Sequence, residues 1–288
     1  MAKKNTPYIH DPKLAYPDKD FTHMVISVPL TQFKFDKNFP YRLKDPKSKF
    51  MRFIHRAIIL IIVKPFILFR YLFYVKGRKN YRVYRRLAGR KAMITICNHT
   101  TDWDCLMVMT SRWFKFSEFP IWEEGAEGKS GWMFRYSGGI VTPTTSIMGV
   151  QYAYEAMREV VRENKWLHVF PEAACWPFYP AIRTFKIGVF KLACEENLPI
   201  LPMVVKYRRP NWLWRIFKKQ PNAKLIIGAP VVPNPDLEFN DRVEDMHHRC
   251  KVEMMNLLGL DEESNQELRD ALPKYHVEPD VPGAKEIF

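Results

Sequence analysis

A short apolar run gives way at once to a polar stretch in the first half of this chain. Residues 92–97 (AMITIC) are apolar and partly β-branched, which predicts a buried strand. Residues 102–110 (DWDCLMVMT) predict a helix, with Thr100 or Thr101 as its N-cap. The chain must therefore turn from strand to helix within the stretch 98–104 (NHTTDWD), as in an α/β fold.

His99 and Asp104 lie five positions apart in this stretch. In a continuous helix they would point about 140° away from each other, so they can pair only if His99 lies in the turn before the helix. Such a turn directs unpaired N–H groups and a positive helix dipole at a phosphate or a developing oxyanion. The pattern is typical of a catalytic base with its orienting acid, and the spacing alone also fits an ordinary turn or cap.

The rest of the chain continues the alternation of strands and helices. Strands are predicted near residues 120–122, 140–141, 166–170, 200–207 and 223–228, and helices at residues 149–164, 185–197 and 241–258. This order predicts an α/β fold, a single domain with a central mixed sheet flanked by helices. We expect it to follow a membrane-associated helical segment.

Four short motifs occur in order along the chain: residues 98–104 (NHTTDWD), 170–172 (FPE), 185–193 (FKIGVFKLA) and 198–204 (LPILPMV). Together they resemble the motifs of the glycerolipid acyltransferase family, which includes the 1-acylglycerol-3-phosphate acyltransferases. A partial fifth match runs from Gly131 through Arg135 to residues 139–141. The resemblance covers about residues 85–232, and it implies an acyltransferase domain at residues 85–260.

The resemblance implies that His99 is the general base and that Asp104 holds its imidazole. An acyl thioester, acyl-coenzyme A or acyl carrier protein, would then donate its acyl group to a lysophospholipid hydroxyl, foremost that of 1-acyl-sn-glycerol 3-phosphate. No metal and no cofactor beyond this co-substrate is expected.

Two arginines of the family pattern are missing. Ala173, Ala174 and Cys175 follow Phe170, Pro171 and Glu172 where the family has Gly, Thr and Arg, and residues 142–145 (TPTT) end the partial fifth match without its Arg. The acceptor is therefore expected to contact Phe170, Pro171, Glu172 and the substitute cations Arg135, Arg183 and Lys186. Two alternatives stay open: a different lipid alcohol as acceptor, and a non-catalytic peripheral lipid-binding protein.

The basic charge is concentrated in one part of the chain. The formal net charge is +14, and residues 46–101 contain 14 Lys or Arg but no Asp or Glu. This window encloses the most hydrophobic stretch, residues 53–75, in which Lys64 and Arg70 would each cost about 2.5 to 3.5 kcal/mol inside a bilayer. We expect residues 51–84 to lie in the interface of an anionic membrane as a helix or helix pair, although a single span or a buried core helix would also fit.

Residues 208–219 (RRPNWLWRIFKK), where Trp residues and cations mix, are a second candidate membrane contact, and a solvated loop with some packed aromatics would fit equally well. Residues 1–50 are expected to be a polar extension and residues 261–288 a polar tail. Nucleic acid is not an expected partner, because the chain has no zinc-finger spacing and no RNA-binding signature. Five cysteines without a C-x-x-C pair and an amino end unlike a signal peptide favour a membrane-associated enzyme facing the cytoplasm.

Overall fold

A seven-stranded mixed sheet forms the centre of the computed structural model, which describes residues 7–24, 33–89, 91–112, 116–144, 146–217 and 220–277. The strands β2 to β8 lie in the order β2-β8-β7-β3-β6-β4-β5. They are β2 (Tyr74–Lys76), β3 (Met93–Cys97), β4 (Ser117–Trp122), β5 (Gly139–Thr142), β6 (Trp166–Val169), β7 (Ile200–Arg208) and β8 (Asn222–Ile227). Only the β7–β8 pair is antiparallel. The predicted mixed sheet is confirmed.

Helices cover both faces of this sheet. They are α1 (Pro46–Ile58), α2 (Lys64–Tyr71), α3 (Asn80–Ala88), α4 (Asp104–Thr110), α5 (Glu123–Glu127), α6 (Gly131–Ser137), α7 (Ile147–Arg162), α8 (Gly188–Glu195), α9 (Trp212–Phe217), α10 (Phe239–Leu258) and α11 (Glu262–Ala271). Buried side chains of α7, α8 and α10 fill one face, and those of α2, α3 and α4 fill the other. The central strand β3 is buried along its whole length, which explains its apolar, β-branched sequence.

The hydrophobic stretch near the amino end forms one continuous helical segment, residues 46–71. A π-helical turn, Ile59–Val63, joins α1 to α2 directly before Pro65. Proline lacks an N–H and its ring clashes with the carbonyl four residues earlier, so a wider turn relieves the helix here. Within the residues described above, no helix combines the length and the hydrophobicity needed to cross a bilayer.

The two ends of the described chain meet outside the main sheet. β1 (Tyr16–Pro17) pairs with β9 (Lys274–Tyr275) in parallel. Asp261 and Ser264 form a capping box at the start of α11, and Asn265 exchanges hydrogen bonds with the main chain of Ile182. The described part of the predicted polar tail is therefore packed against the domain; residues 278–288 of that tail, and residues 1–6 and 25–32 of the polar extension, lie outside the described residues.

Candidate active site

The turn after β3 brings His99 and Asp104 together. The helix begins at Asp104, two residues later than predicted, which leaves room for the carboxylate to face back into the turn. Asp104 Oδ2 lies 3.4 Å from His99 Nδ1 and accepts hydrogen bonds from the main-chain N–H groups of Thr100 and Thr101, the latter at 2.7 Å. Asp104 is fully buried, whereas the His99 side chain is 22% exposed. With Nδ1 facing the carboxylate, Nε2 is the imidazole nitrogen that can receive a proton.

The Phe-Pro-Glu loop, residues 170–172, follows β6, the strand next to β3, and closes over this turn. The Phe170 ring stacks on the His99 imidazole, with centroids 4.2 Å apart and an interplanar angle of 15°. Glu172 is buried, and its carboxylate accepts a 3.0 Å hydrogen bond from the main-chain N–H of His99. Its other oxygen accepts one from the main-chain N–H of Arg183, also at 3.0 Å. Glu172 thus fixes the turn that carries His99, and the expectation that it contacts the acceptor is not supported.

The predicted phosphate cation Arg183 is fully buried. Its guanidinium donates to the Glu172 carboxylate at 3.0 Å, to the Asp20 carbonyl at 2.6 Å and to the carbonyl of Ala174. The same group lies over the Trp176 ring, 4.3 Å from the centroid. The two terminal nitrogens of Arg183 thus donate inside the protein, and its role in place of the missing phosphate-binding arginine of the family pattern stays a prediction.

The other two predicted cations lie in different surroundings. The half-buried Lys186 follows the loop, and its ammonium sits 4.0 Å from the ring centroid of Phe21. Arg135 lies on α6 directly before β5, and therefore at the amino-terminal edge of the parallel strands, whereas His99 follows the carboxyl end of β3. Its guanidinium donates to the Pro40 carbonyl at 2.7 Å. The structure brings Lys186 near the Phe-Pro-Glu loop but does not bring Arg135 to it.

At the other position of a missing arginine, the end of β5, hydroxyl and carboxylate groups meet. The Thr144 hydroxyl donates a 2.8 Å hydrogen bond to Glu123, a buried carboxylate that follows β4. This edge of the site therefore carries a negative group where the family pattern has a positive one.

Several supporting residues were missed by the sequence reasoning. Asn98 joins β3 to β7, because its amide exchanges hydrogen bonds of 2.8 and 3.2 Å with the main chain of Val205.

His168 is buried and presents its ring edge-on to Phe170, with centroids 4.6 Å apart, while its Nδ1 contacts the Thr95 hydroxyl at 2.8 Å. Burial, reinforced by the charge on His99, lowers the pKa of His168 to about 3. The sequence signal for His168 was its position as a polar residue within the otherwise apolar run 166–170.

A family model agrees with this interpretation at the level of the domain. Residues 73–206 match the family model described as Acyltransferase, and they contain the turn, the loop, the strands β2 to β6 and most of β7. A search of the curated proteins gives no match. Among solved structures, the chain is similar to the 1-acyl-sn-glycerophosphate (LPA) acyltransferase PlsC from Thermotoga maritima, with 15% sequence identity and a TM-score of 0.45. That alignment covers 73% of this chain and 95% of the other.

Proposed function

We propose that this chain, an O-acyltransferase whose acyltransferase domain spans residues 73–206, moves a fatty acyl group from an acyl thioester to a lysophospholipid hydroxyl. The observation that carries the proposal is the His99–Asp104 pair, which leaves Nε2 of a partly exposed imidazole facing away from a buried carboxylate. Acyl-coenzyme A or acyl carrier protein is the proposed donor. The proposed role is a step of phospholipid synthesis.

In the proposed reaction the acceptor hydroxyl gives its proton to His99 Nε2 as its oxygen attacks the thioester carbonyl carbon. The Asp104 carboxylate stabilises the imidazolium that forms and keeps its ring in place. The tetrahedral intermediate then collapses, the C–S bond breaks, and His99 returns the proton to the departing thiolate. The products are the esterified lipid and a free thiol.

The cysteines near the site do not suggest a covalent acyl-enzyme. Cys105 follows Asp104, and Cys175 follows the Phe-Pro-Glu loop. Burial raises the pKa of both thiols, so the thiolate needed for nucleophilic attack is disfavoured. Direct transfer between the two substrates is the simpler mechanism.

The first acceptor to test is 1-acyl-sn-glycerol 3-phosphate, with other lysolipids and uncharged lipid alcohols as the alternative. Lys186 is half-buried beside the Phe-Pro-Glu loop, where its main-chain N–H donates a 2.8 Å hydrogen bond to the Pro171 carbonyl, and its charge would attract an acceptor phosphate. The internal use of Arg183 and the Glu123 carboxylate weaken the case for a phosphate-bearing acceptor. A comparison of phosphate-bearing with uncharged acceptors is therefore the first test of specificity.

A membrane surface is the proposed source of the acceptor. The helical segment 46–71 and helices α6 and α9 expose large apolar side chains, a set we call the docking surface: Phe50, Phe53, Ile61, Ile62, Phe66, Phe69, Trp132, Met133, Trp212, Leu213, Ile216 and Phe217. Phe66 contacts Trp103 in the catalytic turn, with ring centroids 5.2 Å apart, and Phe69 contacts Trp214 at 6.1 Å. We propose that this surface lies in the interface of an anionic membrane, on its cytoplasmic face.

The test is thioester consumption by the purified protein in the presence of phospholipid vesicles. Long-chain acyl-coenzyme A and acyl carrier protein serve as donors against 1-acyl-sn-glycerol 3-phosphate, other lysolipids and monoacylglycerol. We expect His99→Ala to lower kcat about a hundred- to ten-thousand-fold without loss of folding or vesicle binding. The matched control is His248→Ala, because His248 is an exposed histidine on α10 and its loss should leave turnover unchanged. Near wild-type turnover in His99→Ala would refute the mechanism, and lipid binding without any turnover would favour a non-catalytic role.

A further inference from the structure

The described residues of the amino-terminal extension lie against the catalytic domain. Residues 7–24, which we call the N-terminal strap, run along the segment that follows the Phe-Pro-Glu loop. The Tyr16 hydroxyl donates to the Pro177 carbonyl at 3.0 Å, and the Trp176 indole donates to the Thr22 carbonyl at 2.7 Å. The strap is thus fixed to the segment directly after the Phe-Pro-Glu loop, and Glu172 of that loop holds the main chain of His99.

Asp20 is the main anchor of the strap. Its carboxylate accepts a hydrogen bond from the main-chain N–H of Thr184 at 3.0 Å and forms an ion pair with Arg269 at 2.8 Å. Its carbonyl accepts the hydrogen bond from Arg183 described above. These contacts hold the strap in one register, so the residues that follow Asp20 reach a defined place.

That place is the carboxyl-terminal edge of the sheet. The His23 imidazole stacks on Trp122, with centroids 4.1 Å apart and an interplanar angle of 7°. Trp122 ends β4, which lies two strand positions from β3, a spacing of about 10 Å between the two strands. Phe170 follows the strand between them. His23 thus packs on the end of β4 and His99 follows β3, with β6 between these two strands.

The chemistry of His23 suits an uncharged polar contact. Burial, with smaller contributions from the charges of His99 and Arg183, lowers the pKa of His23 to about 4, so its imidazole is neutral near pH 7. A neutral imidazole has one donor and one acceptor nitrogen. Neither nitrogen has a hydrogen-bond partner among the residues that the structure describes. The ring is held by stacking on Trp122.

We infer that His23 is a specificity-determining residue that binds the polar headgroup of the acyl acceptor while the reacting hydroxyl lies at His99. The inference rests on the proposed function. The acceptor is the substrate concerned, because its glycerol headgroup carries the reacting hydroxyl and must therefore lie beside His99. A hydroxyl of that headgroup can donate to or accept from the neutral imidazole, and a phosphate oxygen can accept from it.

The decisive variant is His23→Phe, which keeps an aromatic ring on Trp122 but removes both nitrogens. We expect the KM for the best acceptor to rise about tenfold, the loss of one hydrogen bond in the site, with the thioester KM and kcat nearly unchanged. His10→Phe is the matched control, because His10 lies on the same strap and packs on Phe178 at 4.5 Å. It should leave all three constants unchanged. Comparing 1-acyl-sn-glycerol 3-phosphate with monoacylglycerol shows whether the bound group is a phosphate or a hydroxyl.

A wild-type acceptor KM in His23→Phe would overturn the inference, and so would an equal rise in both KM values, which would indicate a misplaced strap. A second measurement, equilibrium binding of the same two lipids to the wild-type and variant proteins, separates this inference from the proposed function. If no acceptor is turned over, the proposed function fails, yet weaker lipid binding by His23→Phe would still support the headgroup contact. Equal affinities, or binding of neither lipid by the wild type, would overturn it.

Discussion

Glu172 and Arg183 form a buried ion pair that supports the turn carrying His99. Both side chains are at most 1% exposed, and the carboxylate also receives main-chain hydrogen bonds. Removing one partner of such a pair leaves the other charge buried without compensation. In the proposed reaction the pair would therefore act indirectly, through the position of the His99 main chain.

Glu172→Gln should reduce the free energy of unfolding by about 3 to 5 kcal/mol, because it removes the charge that compensates the buried Arg183. Lys274→Gln is the control. It breaks a 3.2 Å ion pair with Asp270 in which the lysine is 46% and the aspartate 59% exposed, and surface pairs contribute about 1 kcal/mol or less. Urea unfolding measures both; equal, small losses would show that the Glu172 pair is not coupled to folding.

His168 predicts a pH dependence of stability. Burial lowers its pKa from an ordinary 6.5 to about 3, so the unfolded chain binds a proton that the folded chain refuses between these values. The stability contributed by neutral His168 is therefore complete above pH 6.5 and is lost as the pH falls toward 3. At about pH 4 the loss amounts to roughly 3 kcal/mol.

His168→Leu removes this titration, and Nε2 of the native ring has no hydrogen-bond partner to lose within the described chain. We expect the free energy of unfolding of the variant to fall less steeply than that of the wild type between pH 6.5 and pH 4, a difference measurable by urea unfolding at each pH. Parallel pH profiles of the two proteins would contradict a neutral, buried His168.

Among the secondary-structure elements, those with a strong local pattern were predicted from the sequence. The strand before His99 and the long helix α10 match their predicted positions within one or two residues, because continuous burial and helical periodicity leave a clear signal. The strand β2 was missed, since three residues carry too little pattern. The role of Arg183 could not be foreseen, because its burial depends on Asp20, which lies 163 positions earlier in the chain.

One face of the helical segment 46–71 packs against the rest of the protein, and another face exposes apolar side chains. Ile67 and Tyr71 are buried against the sheet side, while Ile61 and Phe69 are 73% and 68% exposed. Arg56 and Arg70 lie along aromatic rings of Phe116 and Phe66. The folded segment thus has one face packed against the protein and one exposed apolar face flanked by cations, as expected for a helix that lies in a membrane interface.

The double variant Ile61→Glu with Phe69→Glu should lose at least about a hundredfold in affinity for anionic vesicles, since each inserted side chain contributes about 1.5 to 3 kcal/mol. The free energy of unfolding should change little, because both side chains are exposed. Val232→Glu is the control: Val232 is 39% exposed, and its carbonyl contacts Arg249 on α10, away from the docking surface. Vesicle flotation measures the affinities, and unaltered binding by the double variant would contradict the docking surface.

The excess positive charge of the molecule, like its exposed apolar side chains, is concentrated in one part of the chain. The excess of 14 positive charges equals the number of Lys and Arg in residues 46–101, so the rest of the chain is balanced. Six of these cations, Lys76, Arg78, Lys79, Arg82, Arg85 and Arg86, are exposed on or just before α3. They follow the helical segment directly, which places a basic surface next to the apolar one. Each cation near an anionic leaflet contributes about 1 kcal/mol.

Membrane binding should therefore depend on both lipid charge and salt. Raising the ionic strength from about 0.1 M to about 1 M shortens the Debye length from about 10 Å to about 3 Å, which screens exposed cations but does not weaken apolar insertion. We expect a steep loss of binding to vesicles that contain phosphatidylglycerol and weak, salt-insensitive binding to phosphatidylcholine alone. Replacing Arg82, Arg85 and Arg86 by Gln should flatten the salt dependence while leaving turnover of detergent-dispersed substrate unchanged. Salt-independent binding to the anionic vesicles would show that the basic surface does not face the membrane.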